Sequence, residues 1–181
     1  MNIDQKGFEV KGLSYIIRSA DPADAANLSQ LRLQIDGETE NMDRVQGEGV
    51  IDTSGFEQLI ARDTEDDRNL FLVAEAEGKI VAFSRCEGNH LTRFSHKVEF
   101  GICTAREYWG FGIGKHLLEQ SLAWADANGI TKIVLYVLET NEKAVQLYKR
   151  FGFEIEGVIT KDRILSDGNY YNTIVMGRFK L

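Results

Sequence analysis

The sequence predicts a mixed α/β fold: about seven strands in one sheet, four helices against it, and a central parallel βαβ crossover. Three observations carry this expectation. Short apolar runs rich in β-formers recur from Leu13 to Phe179, apolar residues at helical spacing interrupt them four times, and one long helical stretch separates the fourth strand from the fifth. A connection through a helix makes that strand pair parallel, and neighbouring strands interspersed with helices give a mixed sheet covered by helices.

Taken in order, Leu13–Arg18 is the first strand, with Tyr15, Ile16 and Ile17 as its β-formers. Asp21-Pro22 reads as an N-cap followed by a first-turn proline, and Ala25, Leu28, Leu31 and Ile35 continue at helical spacing. From Asp36 to Asp52 the chain turns acidic and glycine-containing, which predicts a loop. Ser54 with Glu57 three residues on makes a capping box for a second helix whose apolar edge is Phe56, Leu59 and Ile60. Leu70–Ala76 and Ile80–Glu87 form a hairpin across Glu77-Gly78-Lys79. Lys97–Thr104 alternates, with Val98, Phe100, Ile102 and Thr104 on one side. A glycine-rich turn then leads into a helix with Ile113, Leu117, Leu118, Leu122 and Ala125 on its apolar side, stopped at Gly129. Ile133–Val137 reads as a continuously buried strand. Asn141 caps a last helix with Ala144, Leu147, Tyr148 and Phe151 on one face, ended by Gly152. Phe153–Arg163 and Thr173–Phe179 close the sheet as a pair joined through Asp167-Gly168.

The 181 residues suit a single domain spanning 1–181, and 43% hydrophobic with 10% aromatic residues supply one core. The net charge of −7 repels a phosphate backbone, and no basic stripe interrupts it, so no nucleic-acid partner is expected. The same field favours a cationic acceptor. Cys86 and Cys103 form no CxxC pair, which fits a reducing, cytoplasmic setting. Cys86, His90 and His96 lack a fourth ligand and a metal spacing, so no metal site is expected. No window reaches the ~20 apolar residues of a membrane helix, so no membrane association is expected.

The segment that carries chemistry is Trp109-Gly110-Phe111-Gly112-Ile113-Gly114-Lys115, between a strand and a long helix. Glycine lets the backbone turn sharply and approach a ligand, while the first amides of the helix lack internal partners and stand at the positive end of its dipole. Such a terminus holds a pyrophosphate. The spacing G-x-G-x-G is not the G-x-G-x-x-G of a dinucleotide fold, and Gly114-Lys115 followed by His116 is not a P-loop. A glycine-rich turn without a ligand is the other reading of this segment taken alone.

A second segment, Asn141 to Phe153, fits N-x-x-A-x-x-L-Y-x-x-x-G-F throughout. Together the two segments, about 30 residues apart with a strand between them, resemble the GNAT (Gcn5-related N-acetyltransferase) superfamily. The closing stretch Gly157–Met176 resembles, less specifically, its ribosomal-protein and polyamine branch. The resemblance implies an acetyl-CoA-dependent N-acetyltransferase whose glycine turn cradles the CoA pyrophosphate and whose last helix lies along the pantetheine arm. It implies cofactor contacts from Ile102, Cys103 and Thr104, from Trp109, Gly110, Phe111, Gly112, Ile113, Gly114 and Lys115, and from Asn141, Ala144 and Tyr148. Many members carry Arg or Gln where this chain has Trp109, which leaves the backbone amides and Lys115 to hold the phosphates.

The acceptor implied is a primary amine, in a small molecule, a polyamine or a peptide N-terminus. An alkyl amine of pKa about 10.4 must lose a proton before it attacks. Glu99 matches a glutamate used as base in some relatives; as a lone strand carboxylate it also reads as merely solvated. Tyr148 matches the phenol that protonates the departing thiolate; beside Leu147 and Phe151 it also reads as a core aromatic. Glu38, Glu40 and Asp43 are either acceptor contacts or a solvated loop. The paired terminal strands leave room for a homodimer. A catalytically silent acyl-CoA-binding module is the alternative to the enzyme.

Overall fold

The computed structural model describes residues 2–180. A single sheet of eight strands runs in the order β1-β2-β3-β4-β5-β6-β8-β7, from β1 (Lys6–Val10), β2 (Leu13–Ser19), β3 (Leu70–Ala76), β4 (Lys79–Gly88), β5 (Lys97–Thr104), β6 (Lys132–Leu138), β7 (Glu154–Ile164) and β8 (Tyr170–Phe179). The helices are α1 (Ala25–Glu38), α2 (Thr53–Glu65), α3 (Ile113–Ala127) and α4 (Glu142–Arg150). The β5–α3–β6 unit is the parallel crossover expected from the sequence, and the other neighbouring strands pair antiparallel.

Strand β3 shows how the layers form. Its alternate residues Leu70, Leu72 and Ala74 pack with Leu117, Leu118 and Leu122 of α3, while Phe71 and Val73 pack with Leu28 and Ile35 of α1 and Phe56 and Ile60 of α2. Successive side chains of a strand point to opposite faces, so a strand covered on both sides is apolar throughout. The sheet is thus sandwiched between α1 and α2 on one face and α3 and α4 on the other.

Several local expectations are corrected. The sheet has one strand more than expected because β1 pairs with β2 across a two-residue turn, Lys11 (φ 52°) and Gly12 (φ 81°). Helix α1 continues through Asp36 to Glu38 before the loop begins, since Asp36 is buried and ion-paired with Arg44 (3.1 Å). The cap of α2 is Asp52, whose carboxylate accepts from the Gly55 N–H (2.8 Å), and Ser54 lies within the first turn. Strand β6 is not buried throughout, because Tyr136 faces outward.

One departure from regular pairing matters most. β5 meets β4 along its whole length, from Val98 opposite Gly88 to Thr104 opposite Ala82, and β6 meets β8 along its whole length. Between β5 and β6 the pairing spans only Lys97–Glu99 against Lys132–Val134. Beyond Glu99 the two strands separate, and the β5 edge from Phe100 to Thr104 faces no strand on that side.

Candidate active site

The gap between the diverging strands is a cavity of about 240 Å³, with Gly101, Ile102 and Cys103 of β5 on one wall and Tyr136 and Val137 of β6 on the other. Asn141 and Tyr148 line it from the start and body of α4. A second cavity of about 220 Å³ adjoins it, sharing Phe100, Gly101 and Tyr136 and adding Glu99 and Asp162.

At the α3 end, the glycine turn is fixed by backbone geometry. Gly110 (φ 84°) and Gly112 (φ 76°) are left-handed, a conformation that L side chains disfavour, and Gly112 is the N-cap of α3. A Cβ on Gly112 would stand at ordinary contact distance from Tyr15 and His116, so the demand for glycine comes from φ and not from space. The first intrahelical bond is from His116 N–H to the Gly112 carbonyl (3.0 Å), which leaves the N–H groups of Ile113, Gly114 and Lys115 without helical partners.

The β1–β2 hairpin holds this turn from behind. Lys11 Nζ donates to the Gly110 carbonyl (3.0 Å), and the Tyr15 hydroxyl lies 3.1 Å from the Phe111 carbonyl. The same hydroxyl is 2.7 Å from His116 Nδ1, and the Phe8 ring stacks on His116 at 4.1 Å. In a planar trans peptide the C=O and the following N–H point opposite ways. Tying the carbonyls of 110 and 111 to the hairpin therefore turns the N–H groups of Phe111 and Gly112 away from it. Sequence reading missed Phe8, Lys11, Tyr15 and His116. Their only local signal was the Lys11-Gly12 turn between two short alternating stretches.

The expected cofactor residues lie in different places, and Thr104, the last residue of β5, is not in the cavity lining. Ile102, Cys103, Asn141 and Tyr148 line the cavity. Gly110 to Lys115 form the turn and the first turn of α3, where Lys115 is half exposed and 3.5 Å from Glu119. Trp109 turns its indole N–H onto the Thr104 carbonyl (2.8 Å), so it has no donor left for a phosphate, and its ring lies under the Arg106 guanidinium. Ala144 is half-buried on α4, and its N–H is capped by the Asn141 side chain at 3.4 Å.

Tyr148 is 8% exposed and packs edge-on to Phe100 and beside Phe153. Burial pushes its phenol up to about 12, so the hydroxyl stays protonated at neutral pH. Glu99 is raised above the ordinary glutamate value, first by burial, then by the carboxylates of Glu87 and Asp43. Glu87 stands directly opposite it on β4, where like charges repel. Burial also pushes the Cys103 thiol up, which removes it as a nucleophile at neutral pH.

Glu38 at the end of α1 and the loop acids Glu40 and Asp43, the expected acceptor contacts, are engaged within the protein. Glu38 accepts from the Arg106 N–H (2.7 Å), Glu40 from the Ser166 N–H (2.8 Å), and Asp43 pairs with Arg163 (2.6 Å). Only Asp43 lines the cavity, and arginines dominate its charged lining: Arg32, Arg44, Arg85 and Arg163. None of these was singled out from sequence. They lie on four separate segments of the chain, and only the tertiary fold brings them together.

The profile of the acetyltransferase (GNAT) family matches residues 38–153. The L-amino acid N-acetyltransferase AaaT of Escherichia coli (strain K12) is 32% identical over 110 residues, which are 60% of this chain and 67% of that protein. The chain spans between 34% and 67% of the length of curated relatives that it matches. A GNAT-family acetyltransferase from Streptococcus pneumoniae superposes with a TM-score of 0.88 at 28% identity, covering 92% of this chain and 99% of that one. YncA from Salmonella typhimurium, solved with its cofactor acetyl-CoA, shares the fold at a TM-score of 0.80 and 19% identity, over 90% of this chain and 92% of that one.

Proposed function

We propose that this chain, which belongs to the acetyltransferase (GNAT) family and is an acetyl-CoA-dependent N-acetyltransferase, acylates a primary amine in the gap between β5 and β6. The observation that carries the reading is that gap: it opens where the β5 edge loses its partner, and Tyr148 lines it. Among the described residues no helix is long and apolar enough to cross a membrane.

The residues fit the donor. Free amides at the start of α3, together with the turn, suit a pyrophosphate. The unpartnered β5 edge suits the amide groups of a pantetheine arm, as a neighbouring strand would. Acetyl-CoA supplies the activated acetyl thioester. Glu99, made more basic by burial and by its carboxylate neighbours, takes the proton from the acceptor ammonium, directly or through water. Tyr148 keeps its proton until sulfur departs and then donates to it. A main-chain N–H on the free β5 edge near Ile102 and Cys103 serves the carbonyl oxygen as charge builds there.

The test is amine-dependent release of CoA thiol from acetyl-CoA across amino acids, polyamines and short peptides. Release that requires an amine and falls in Tyr148→Phe supports the reading. Acetyl-CoA binding with no release for any amine would leave a silent acyl-CoA-binding module in its place.

A further inference from the structure

Within a chain of net charge −7, the acceptor side of the cavity concentrates arginine, and those arginines are unequally committed. Arg85 is spent on Asp63 and Glu87, and Arg44 on Asp36. Arg32 bonds only the Gly49 carbonyl (2.7 Å) and forms no ion pair among the described residues. Arg163 gives Nη2 to Asp43 (2.6 Å), while its Nη1 is buried and has no hydrogen-bond partner among the described residues. A buried donor left unsatisfied costs roughly 1–3 kcal/mol, so a ligand acceptor for that group is favoured.

Arg163 and Asp43 line both adjoining cavities; the second adds Glu99 and Asp162, so arginine outnumbers carboxylate only on the wall of the first. A guanidinium and a raised-pKa carboxylate therefore face the same space from β7 and β5. That arrangement has one pole for an anion and one for an ammonium. A polyamine would bring a second cation to the arginine wall, and a peptide N-terminus would bring a neutral amide.

We infer that the acceptor is an α-amino carboxylate, with its carboxylate held by the Arg163 fork and its amine turned toward Glu99. This rests on the acetyltransferase reading above and specifies its substrate class. Arg32, which has no carboxylate of its own, adds positive field on the same wall. The carboxylate accepts from the guanidinium edge, and a small rotation of the fork turns Nη1 onto it, satisfying the donor that has no partner among the described residues. The acidic net charge, which by itself favours a cationic acceptor, is overridden locally because the charged lining of the first cavity is four arginines against one carboxylate, Asp43.

The experiment compares acetyl-CoA thiol release for the twenty L-amino acids, their α-amides, 3-methylbutylamine and spermidine. It uses the wild type and the variants Arg163→Gln, Arg163→Lys and Arg32→Gln. The wild type should favour at least one amino acid over its own amide by tenfold or more in kcat/KM. Arg163→Gln should bring that ratio near one through a higher KM for the acid, with KM for the amide little changed. Arg163→Lys should restore part of the preference, since it keeps the charge and loses the fork. Arg32→Gln should lower the ratio less. Unchanged acetyl-CoA affinity in each variant, by calorimetry, reports an intact fold. Equal rates for acids and amides in the wild type, or a preference that survives in Arg163→Gln and Arg32→Gln alike, overturns the inference while leaving the acetyltransferase reading in place. No release with any amine takes both down together.

Discussion

The two sides of the cleft are built from different materials. On the proposed donor side, at the start of α3, the groups offered to a ligand are main-chain amides, set by left-handed Gly110 and Gly112 and braced by Lys11 and Tyr15. On the acceptor side they are side chains, held by contacts between distant segments such as Glu40 to Ser166, 126 residues apart, and Asp43 to Arg163. Backbone devices suit a ligand part that never varies. Side-chain devices let the acceptor change without disturbing the fold. Tyr148 stands where the two meet.

Variants separate the two sides by size of effect. Tyr148→Phe, at the junction, should lower kcat by about 10²–10⁴-fold, the usual range for loss of a positioned acid, with acetyl-CoA affinity unchanged by calorimetry. Glu99→Gln should lower kcat/KM by roughly 10–10²-fold near neutral pH. It should also raise the melting temperature, because Glu99 is raised by burial and by Glu87 and Asp43, so its charged form is disfavoured in the folded state. The sign is that of a raised carboxylate: the folded state binds its proton more tightly than the unfolded chain. Its penalty is present above the folded value and relieved as pH falls below the unfolded one. The acid limb of kcat/KM should accordingly lie above the ordinary glutamate range, and Glu87→Gln should move it to lower pH by removing a like charge.

Donor-side changes should be smaller and should leave acceptor discrimination alone. Gly112→Ala meets no close contact, so its cost is the left-handed backbone, about 1–2 kcal/mol. That cost should appear as lower stability in denaturant and weaker acetyl-CoA binding. Lys11→Met removes one exposed brace and should change acetyl-CoA affinity by no more than about twofold, within the ±0.5 kcal/mol typical of surface changes. An acceptor-side phenotype from either would dissolve the division between the two sides.

The same division decided what the sequence disclosed. Glycines at fixed spacing before an apolar helix, and an Asn141-capped helix carrying Tyr148, are local patterns, and the turn before α3 and the cap of α4 are found at those residues. The β3–β4 hairpin was legible for the same reason, through its Glu77-Gly78 turn. Strand β1 was not, because Lys6–Val10 is a partly exposed edge strand without a full apolar alternation. Helix α1 outran its predicted end because Asp36 finds a cation in Arg44, a contact that composition cannot anticipate. The acid-rich loop suggested a cationic acceptor, yet its carboxylates are used to pin the loop to Arg106, Ser166 and Arg163. The cavity's arginines come from α1, the loop, β4 and β7, and nothing local links them.

A crystal structure with acetyl-CoA bound should show the pyrophosphate against the amides of Phe111 to Lys115, the pantetheine along Gly101 to Thr104 of β5, and the thioester sulfur within hydrogen-bonding reach of the Tyr148 hydroxyl. A thioester that leaves the gap elsewhere, with Tyr148 walled off from sulfur, would contradict the proposed site.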